Sequence, residues 1–376
     1  MKPEIKHLYI HIPFCYSKCH YCAFYSQLDF SANLQNEYFV AFKKEFYSYL
    51  EKYSIVPKTI YVGGGNPGCV QSLLEKILSF LNDNLDFKHL AEFTVECNPV
   101  NVNRKFVSVL IKNKVSRISL GVQTFDEKSL LKINRIRQNN EIVENALYLL
   151  GDLKNVSIDL INGLPEVNYE NELKSLDRCL RNYKNLNHIS FYDLTIDENA
   201  YFSLHRKEFS FPKDDEIFLF EQSIEKLLKS NNFIKYEISN WARNSQVSHH
   251  NLAYWNYENY LGLGASAHSK IDNLRIENKA DIKTYINERK IDDVYILTEK
   301  ESLEEMLLMG LRTIYGISKK SLKRKCGKEE NFNKLILFLL NKNVLKDDED
   351  RIILNDKGRL FLDSILVELF RIIDSF

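Results

Sequence analysis

Three of the seven cysteines, Cys15, Cys19 and Cys22, fall within eight positions, and their C-x3-C-x2-C spacing draws three thiolates round one short loop. Three thiolates so placed fit three corners of a 4Fe-4S cube, for which complete ligation takes four cysteines. The remaining iron is then open to an external ligand, by the logic that separates open catalytic metal sites from closed structural ones. The same residues allow two blander readings: a zinc site completed by His11 or His20, or three ordinary thiols. Zinc sites favour paired C-x2-C halves or a later histidine pair, and no second cysteine pair follows. A second cluster lies close by. Glycine is scarce, 13 in 376 residues and about half its usual share, yet Gly63, Gly64, Gly65 and Gly68 come together. Such a loop lets the backbone approach a ligand closely and adopt positive φ; a tight turn is the alternative. Glu96, Gln123 and Asp159 are polar residues in or just after apolar runs. Buried side chains of this kind are costly unless partnered, so a polar ligand would satisfy them, as would the N-termini of neighbouring helices. A third constellation, His250, Asn251, Tyr254 and Trp255, sets an imidazole among flat aromatic rings. That arrangement suits a heme iron or, equally, a packed aromatic segment in which His250 is merely hydrogen-bonded. Cys69, Cys97, Cys179 and Cys326 lie singly and read as small buried hydrophobes.

These residues need a scaffold, and the hydrophobic pattern supplies one. Strands are predicted at 7–12, 59–62, 92–96, 117–121, 156–161, 188–195 and 236–239, with helices between them at 34–53, 70–81, 104–113, 141–150, 172–181 and 214–230. In the last helix Ile217, Phe220, Ile224 and Leu227 form one apolar stripe. Repeated βα units predict a parallel sheet, and closing it gives an α/β architecture of partial (β/α)6 barrel type. The strands read as largely apolar, as expected when both faces are buried. Barrels of this kind carry their chemistry at the C-terminal ends of the strands. The cysteines follow the first predicted strand, the glycines the second, Glu96 ends the third and Gln123 follows the fourth, so one shared site over the barrel mouth is expected. The chain divides into a core at 1–240, an aromatic and histidine-rich segment at 241–297, and a small, mainly helical C-terminal domain of winged-helix type at 298–376. Its charge run at 346–351 reads as a solvated hairpin turn.

Lysine plus arginine and aspartate plus glutamate both number 51, so the formal charge is zero. That balance argues against a dedicated nucleic-acid binder. No secretory segment is expected at the N-terminus, no run approaches a membrane span, and an odd cysteine count outside a secretory setting argues against a disulfide framework. A cytoplasmic protein is expected.

The cysteine motif resembles that of the radical S-adenosylmethionine (SAM) superfamily, in which SAM chelates the open iron. With its context, Tyr9, His11, Pro13, Phe14, Tyr21 and Phe24, it resembles the oxygen-independent coproporphyrinogen oxidase group and, within that, a branch of heme chaperones. Blocks at 63–67, 96–99, 117–125, 159–165, 188–192 and 236–240 extend the likeness. The resemblance implies a 4Fe-4S cluster on Cys15, Cys19 and Cys22. It implies SAM bound by Gly64, Gly65, Glu96, Gln123, Arg135 and Asp159, with Tyr9 beside the cluster. The string His250, Asn251, Tyr254, Trp255 matches a motif associated with the chaperone branch and implies heme as cargo, with His250 the favoured ligand. Asn66 and Gly68 stand where the family has Thr and Ser, and Asn134 and Arg137 where it has Gly and His around Arg135. The implied function is heme chaperone, binding cluster, SAM and heme and delivering heme to acceptor proteins, with SAM cleavage open to it. The alternative is an oxygen-independent coproporphyrinogen III oxidase, a radical decarboxylase of propionate side chains. Such oxidases carry a further cysteine where this chain has Phe24, and a longer segment ahead of the residue matching Tyr9, so an enzyme of that kind is not expected. Implied partners are heme, heme-acceptor proteins and an electron donor, not nucleic acid; peripheral membrane association and a homodimer are compatible with the resemblance.

Overall fold

A computed structural model describes residues 2–288 and 291–376. Six parallel strands run in sequence order, β1 (Glu4–Ile12), β2 (Ser54–Gly64), β3 (Glu92–Cys97), β4 (Arg117–Gln123), β5 (Asn155–Asn162) and β6 (Leu186–Asp193), each followed by a helical crossover. The loop after β1 and the ends of β2 to β6 line one cleft, so the sheet curves into the partial α/β barrel expected. Its edges differ from the expectation. The run at 236–239 is not a seventh parallel strand but the turn of an antiparallel ribbon, β7 (Ile234–Glu237) and β8 (Asn240–Ala242), with β8 paired against β6. At the other edge the unpredicted β9 (Leu261–Leu263) lies parallel to β1. The segment after residue 240 therefore contributes strands to the same nine-stranded sheet.

Helix starts follow from side-chain caps, which satisfy N–H groups that the first turn leaves open. Ser31 accepts from Leu34 N, Asn103 from Phe106 N, Asn139 from Ile142 N and Asn168 from Asn171 N. Helix Asp214–Ser230 spans the predicted range, but its buried stripe is Phe220, Ile224 and Leu228.

The strands are two-faced. Leu8, Ile10, Ile60, Val62, Phe93, Val95, Ile118, Leu120, Val156 and Ile158 pack outward under the helices at 1% exposure or less. The alternate residues turn inward and are polar: His7, Tyr9 and His11 on β1, Thr59 and Tyr61 on β2, Glu92, Thr94 and Glu96 on β3, Arg117 and Ser119 on β4. The expected apolar interior is thus corrected to a polar one, a consequence of side chains alternating across a strand.

A separate apolar cluster, including Leu303, Leu307, Leu335, Leu339, Leu366 and Leu369, holds the C-terminal helices together. Short strands Ile317–Ser318 and Arg351–Ile352 pair antiparallel. Leu345 bridges Leu354 across the acidic turn, and the final helix is interrupted at Phe361. Among the links that join this unit to the barrel, the buried Glu237 carboxylate accepts from Arg312 Nε at 2.6 Å, and Tyr257 donates to Glu305 at 3.0 Å. No helix among the described residues is long and apolar enough to cross a membrane.

Candidate functional site

The loop between β1 and helix Ala32–Lys52 carries the three cysteines and is pinned at several points. Cys15 N donates to Gln27 O at 3.1 Å, and Gln27 N to Pro13 O at 2.7 Å, closing the loop on itself. His20 N donates to Ile133 O and Asn134 Nδ2 to Lys18 O, which ties it to the segment before Arg135. The glycine loop at the end of β2 packs directly beneath. Gly65 N donates to Ile12 O at 2.9 Å and Asn66 N to Phe14 O at 2.8 Å. A Cβ on Gly65 would meet Phe14 O at 2.7 Å and Cys15 Sγ at 3.0 Å. Gly64, at φ +112, would drive one into the His11 ring at 2.7 Å. Both the conformation and the close approach require glycine here.

Cys15, Cys19, Cys22, Gly64, Gly65, Glu96, Gln123, Arg135 and Asp159 all line a single cleft of about 430 Å3 at the C-terminal ends of the strands. Glu96 accepts from Tyr61 Oη at 2.6 Å and from Gly64 N at 3.2 Å. Burial, with a smaller push from nearby Asp159, raises its carboxyl pKa to about 7 against the lowering effect of the Tyr61 hydrogen bond. Asp159 accepts from Ser119 Oγ at 3.0 and 3.1 Å, and burial also raises it. Neither carboxylate caps a helix, so the helix-cap alternative does not describe them. Gln123 sits at φ +69 beside a break in β4–β5 register, a conformation unusual for a side chain of its kind that turns it at the cleft. Arg135 donates Nε to Cys19 Sγ at 3.2 Å, Nη1 to Asn98 Oδ1 at 2.8 Å and Gly121 O at 2.9 Å, and Nη2 to Tyr21 Oη at 3.1 Å. Of its five N–H groups one Nη2 hydrogen remains for a ligand in the cleft.

Several of the residues singled out in the sequence lie away from the cleft wall. Tyr9 is not on the cleft wall: it lies lower in the barrel, bonded to His11 Nδ1 at 2.9 Å and stacked on Tyr61. His11 sits beneath the glycine loop, and His20 Nδ1 bonds to Lys132 O at 2.7 Å with its ring on Tyr201. Neither histidine is free to join the three thiols as it stands: His11 Nδ1 is bonded to Tyr9 Oη and His20 Nδ1 to Lys132 O. His250 likewise lies away from the cysteine cleft. Its ring is fully buried, Nδ1 bonds to Thr59 Oγ1 at 2.7 Å and Nε2 to Tyr254 Oη at 2.8 Å, and burial holds its pKa well below the usual imidazole value. In either tautomer both nitrogens are engaged with protein groups, the hydrogen-bonded arrangement that the sequence also allows. Finally, Asn251, Tyr254 and Trp255 lie outside the cysteine cleft, Trp255 against Tyr236 at a ring separation of 5.9 Å.

The sequence reading missed Asn98, Tyr21 and Asn66. Asn66, buried, accepts from Asn98 N at 3.2 Å and donates to Asn101, so the residue replacing the family's Thr positions the partner of Arg135. Gly68 leaves room for Cys97, whose Sγ a Cβ there would meet at 2.7 Å.

Residues 9–179 match the family model described as Radical SAM superfamily, and residues 297–361 the one described as HemN C-terminal domain. The chain is 32% identical over 361 residues to the heme chaperone HemW of Lactococcus lactis subsp. lactis (strain IL1403), covering 93% of each. The chain belongs to the HemW family of radical SAM proteins. A similar 32% over 374 residues relates this HemW-family chain to the heme chaperone HemW of Bacillus subtilis (strain 168), covering 95% and 97%. In fold it is similar to coproporphyrinogen III oxidase (HemN) from Escherichia coli, with a TM-score of 0.81 at 20% identity, covering 98% of this chain and 90% of that one.

Membership of the radical SAM superfamily implies a 4Fe-4S cluster and SAM as cofactors. The donor set fits both. Three thiols share one wall with a glycine loop that a single methyl would obstruct, and His11 Nε2 is a buried polar atom without a hydrogen-bond partner among the described residues.

Glu96 carries a pH prediction. A carboxyl raised to about 7 in the folded state binds more protons than the unfolded chain does between its ordinary value of 4.5 and 7. Stability from this group is therefore greatest below that window and falls as pH rises through it, at up to about 1.4 kcal/mol per unit. Urea midpoints of wild type and Glu96→Gln across pH 5–7.5 should diverge, the variant gaining on wild type with rising pH; parallel curves would reject the assignment.

Proposed function

We propose that this protein is a heme carrier that holds a 4Fe-4S cluster on Cys15, Cys19 and Cys22, binds SAM against it, and hands heme to acceptor proteins in the cytoplasm. The observation that carries the reading is the full-length similarity to curated heme chaperones. The cleft supports it, because the residues that the resemblance assigns to cluster and SAM, Tyr9 apart, share it.

When bound, cluster and SAM supply one-electron chemistry at the barrel mouth, which calls for an electron donor as a further partner. The protein's own contribution is positional. Gly64 and Gly65 offer backbone at a distance no larger residue permits, and Glu96, once ionised, supplies a negative charge for an ammonium group above it. Asp159 and Gln123 offer hydrogen-bond partners on the opposite wall. Arg135 ties the cysteine loop to the ends of β3 and β4 through Cys19, Asn98 and Gly121, so it helps to fix the loop over the cleft. Phe24, 68% exposed on the rim, puts an apolar ring where the oxidases have a cysteine.

The test is an anaerobic assay of the reconstituted full chain, run with heme plus an apo heme protein, and separately with coproporphyrinogen III. Heme transfer without decarboxylated product is expected. Product forming with turnover would overturn the carrier reading in favour of the oxidase.

A further inference from the structure

A second cleft, of about 550 Å3, lies where the end of helix His249–Trp255, β10 (His268–Ile271) and the C-terminal helices meet, and it shares no wall residue with the cysteine cleft. Its volume is within the roughly 300–1,000 Å3 typical of small-molecule sites. Trp255, Tyr257 and Met306 give it an apolar side, and Lys270, Arg324 and Arg351 a cationic one.

Lys270 is the unusual member. It is 6% exposed, and its ammonium donates to Tyr257 O at 2.9 Å and Asn259 Oδ1 at 3.2 Å while lying 4.0 Å from the Tyr257 ring centroid. Every one of those partners is neutral. A buried ammonium without a carboxylate is expensive, and burial lowers its pKa to about 8. Arg351 spends Nε and Nη2 on the carbonyls of Tyr315 and Gly316. Among the described residues none of Lys270, Arg324 and Arg351 has a carboxylate within ion-pair distance. The acids on the wall are already used: Glu258 accepts from His7 Nε2 at 3.1 Å and Asp272 from Asn259 at 2.9 Å. The wall thus carries four cations, Lys270, Arg324, Lys325 and Arg351, of which Lys325 is paired with Glu299, against the two carboxylates Glu258 and Asp272, and this excess of positive charge beside an aromatic surface is the complement of a flat, apolar dianion.

We propose that this second cleft, rather than the imidazole of His250, holds the tetrapyrrole cargo, with the ring against Trp255 and Met306 and the propionate carboxylates on Lys270, Arg324 and Arg351. The inference rests on the heme-carrier reading and locates its cargo. It also gives the motif around His250 a division of labour: His250 anchors the helix inside the barrel, and Trp255 at the helix end faces the ligand.

The test is equilibrium titration of the full chain with heme and with its neutral dimethyl ester. Lys270→Gln/Arg324→Gln should weaken heme binding by tenfold or more, since about tenfold is expected per lost charge-assisted contact. The ester should bind wild type weakly and be indifferent to that change. Arg324→Gln alone, at an exposed position, gives the same direction if loss of Lys270 disturbs the fold. Lys334→Gln/Arg371→Gln removes two exposed cations of the same unit outside the cleft and should leave affinity unchanged. Heme binding that survives the first double variant, or that falls equally in the second, overturns the proposed site and leaves the carrier reading standing. Wild type that binds no heme overturns the carrier reading itself, and the site with it.

Discussion

Alanine in place of Cys15, Cys19 or Cys22 is expected to strip the protein of cluster after anaerobic reconstitution, with iron, sulfide and visible absorbance all lost together. A cube held by three thiolates has no spare protein ligand, so removal of any one leaves two irons exposed. Loss of an outer-sphere partner typically costs roughly 10–100-fold in metal affinity or activity; loss of a ligand should exceed that. Arg135 provides the graded comparison. Its Nε donates to Cys19 Sγ and its other nitrogens hold Asn98, Gly121 and Tyr21, so Arg135→Met should retain cluster but release it to chelators within that 10–100-fold range. Cys179→Ala is the control. That thiol is on the buried face of helix Tyr169–Asn182, far along the chain from the loop, and its loss should change stability without changing cluster content. A Cys19→Ala variant with full iron and sulfide would remove the cysteine loop from the proposed site.

The cysteine loop was legible because its chemistry is local: ligands within eight positions need no knowledge of the fold. Glu96, Gln123 and Asp159 were legible for a second reason, since a parallel barrel brings successive strand ends to one mouth whatever the details of packing. What stayed hidden depends on pairs far apart in the chain. Of the two bonds of His250, the one to Tyr254 is four residues away and within reach of the sequence, whereas the one to Thr59, 191 residues away, is not. The antiparallel ribbon β7–β8 was hidden by the brevity of its strands, with Ile238 and Ser239 as the turn between them. The polar barrel interior was present in the sequence as period-two alternation, His7, Tyr9, His11 and Glu92, Thr94, Glu96, but each run also contains enough Ile, Leu and Val to read as simply apolar.

Glu92, which the sequence reading passed over as a strand start, is expected to be among the most sensitive positions in the molecule. It is 3% exposed, and its Oε2 accepts from His249 N at 2.7 Å while Oε1 accepts from His250 N at 3.2 Å and Thr94 Oγ1 at 3.1 Å. The carboxylate thus holds the start of helix His249–Trp255 inside the barrel, where those N–H groups have no intrahelical acceptor. It also faces Arg117, whose Nε and Nη1 are buried without a hydrogen-bond partner among the described residues. Glu92→Gln keeps the shape, but it turns a double acceptor into a half-donor and leaves the Arg117 charge without its counterpart. Loss of a charged acceptor for buried N–H groups costs about 1.5–3 kcal/mol, against roughly 0.5 kcal/mol or less for a part-exposed surface acid such as Glu368→Gln. Urea unfolding followed by tryptophan fluorescence should report it directly, because Trp255 ends the helix that Glu92 holds. Since Trp255 also lines the second cleft, Glu92→Gln should lower heme affinity as well, although Glu92 touches neither cleft. An unchanged midpoint would mean that the barrel interior accepts an uncompensated Arg117, and that the buried helix is held by its aromatic packing instead.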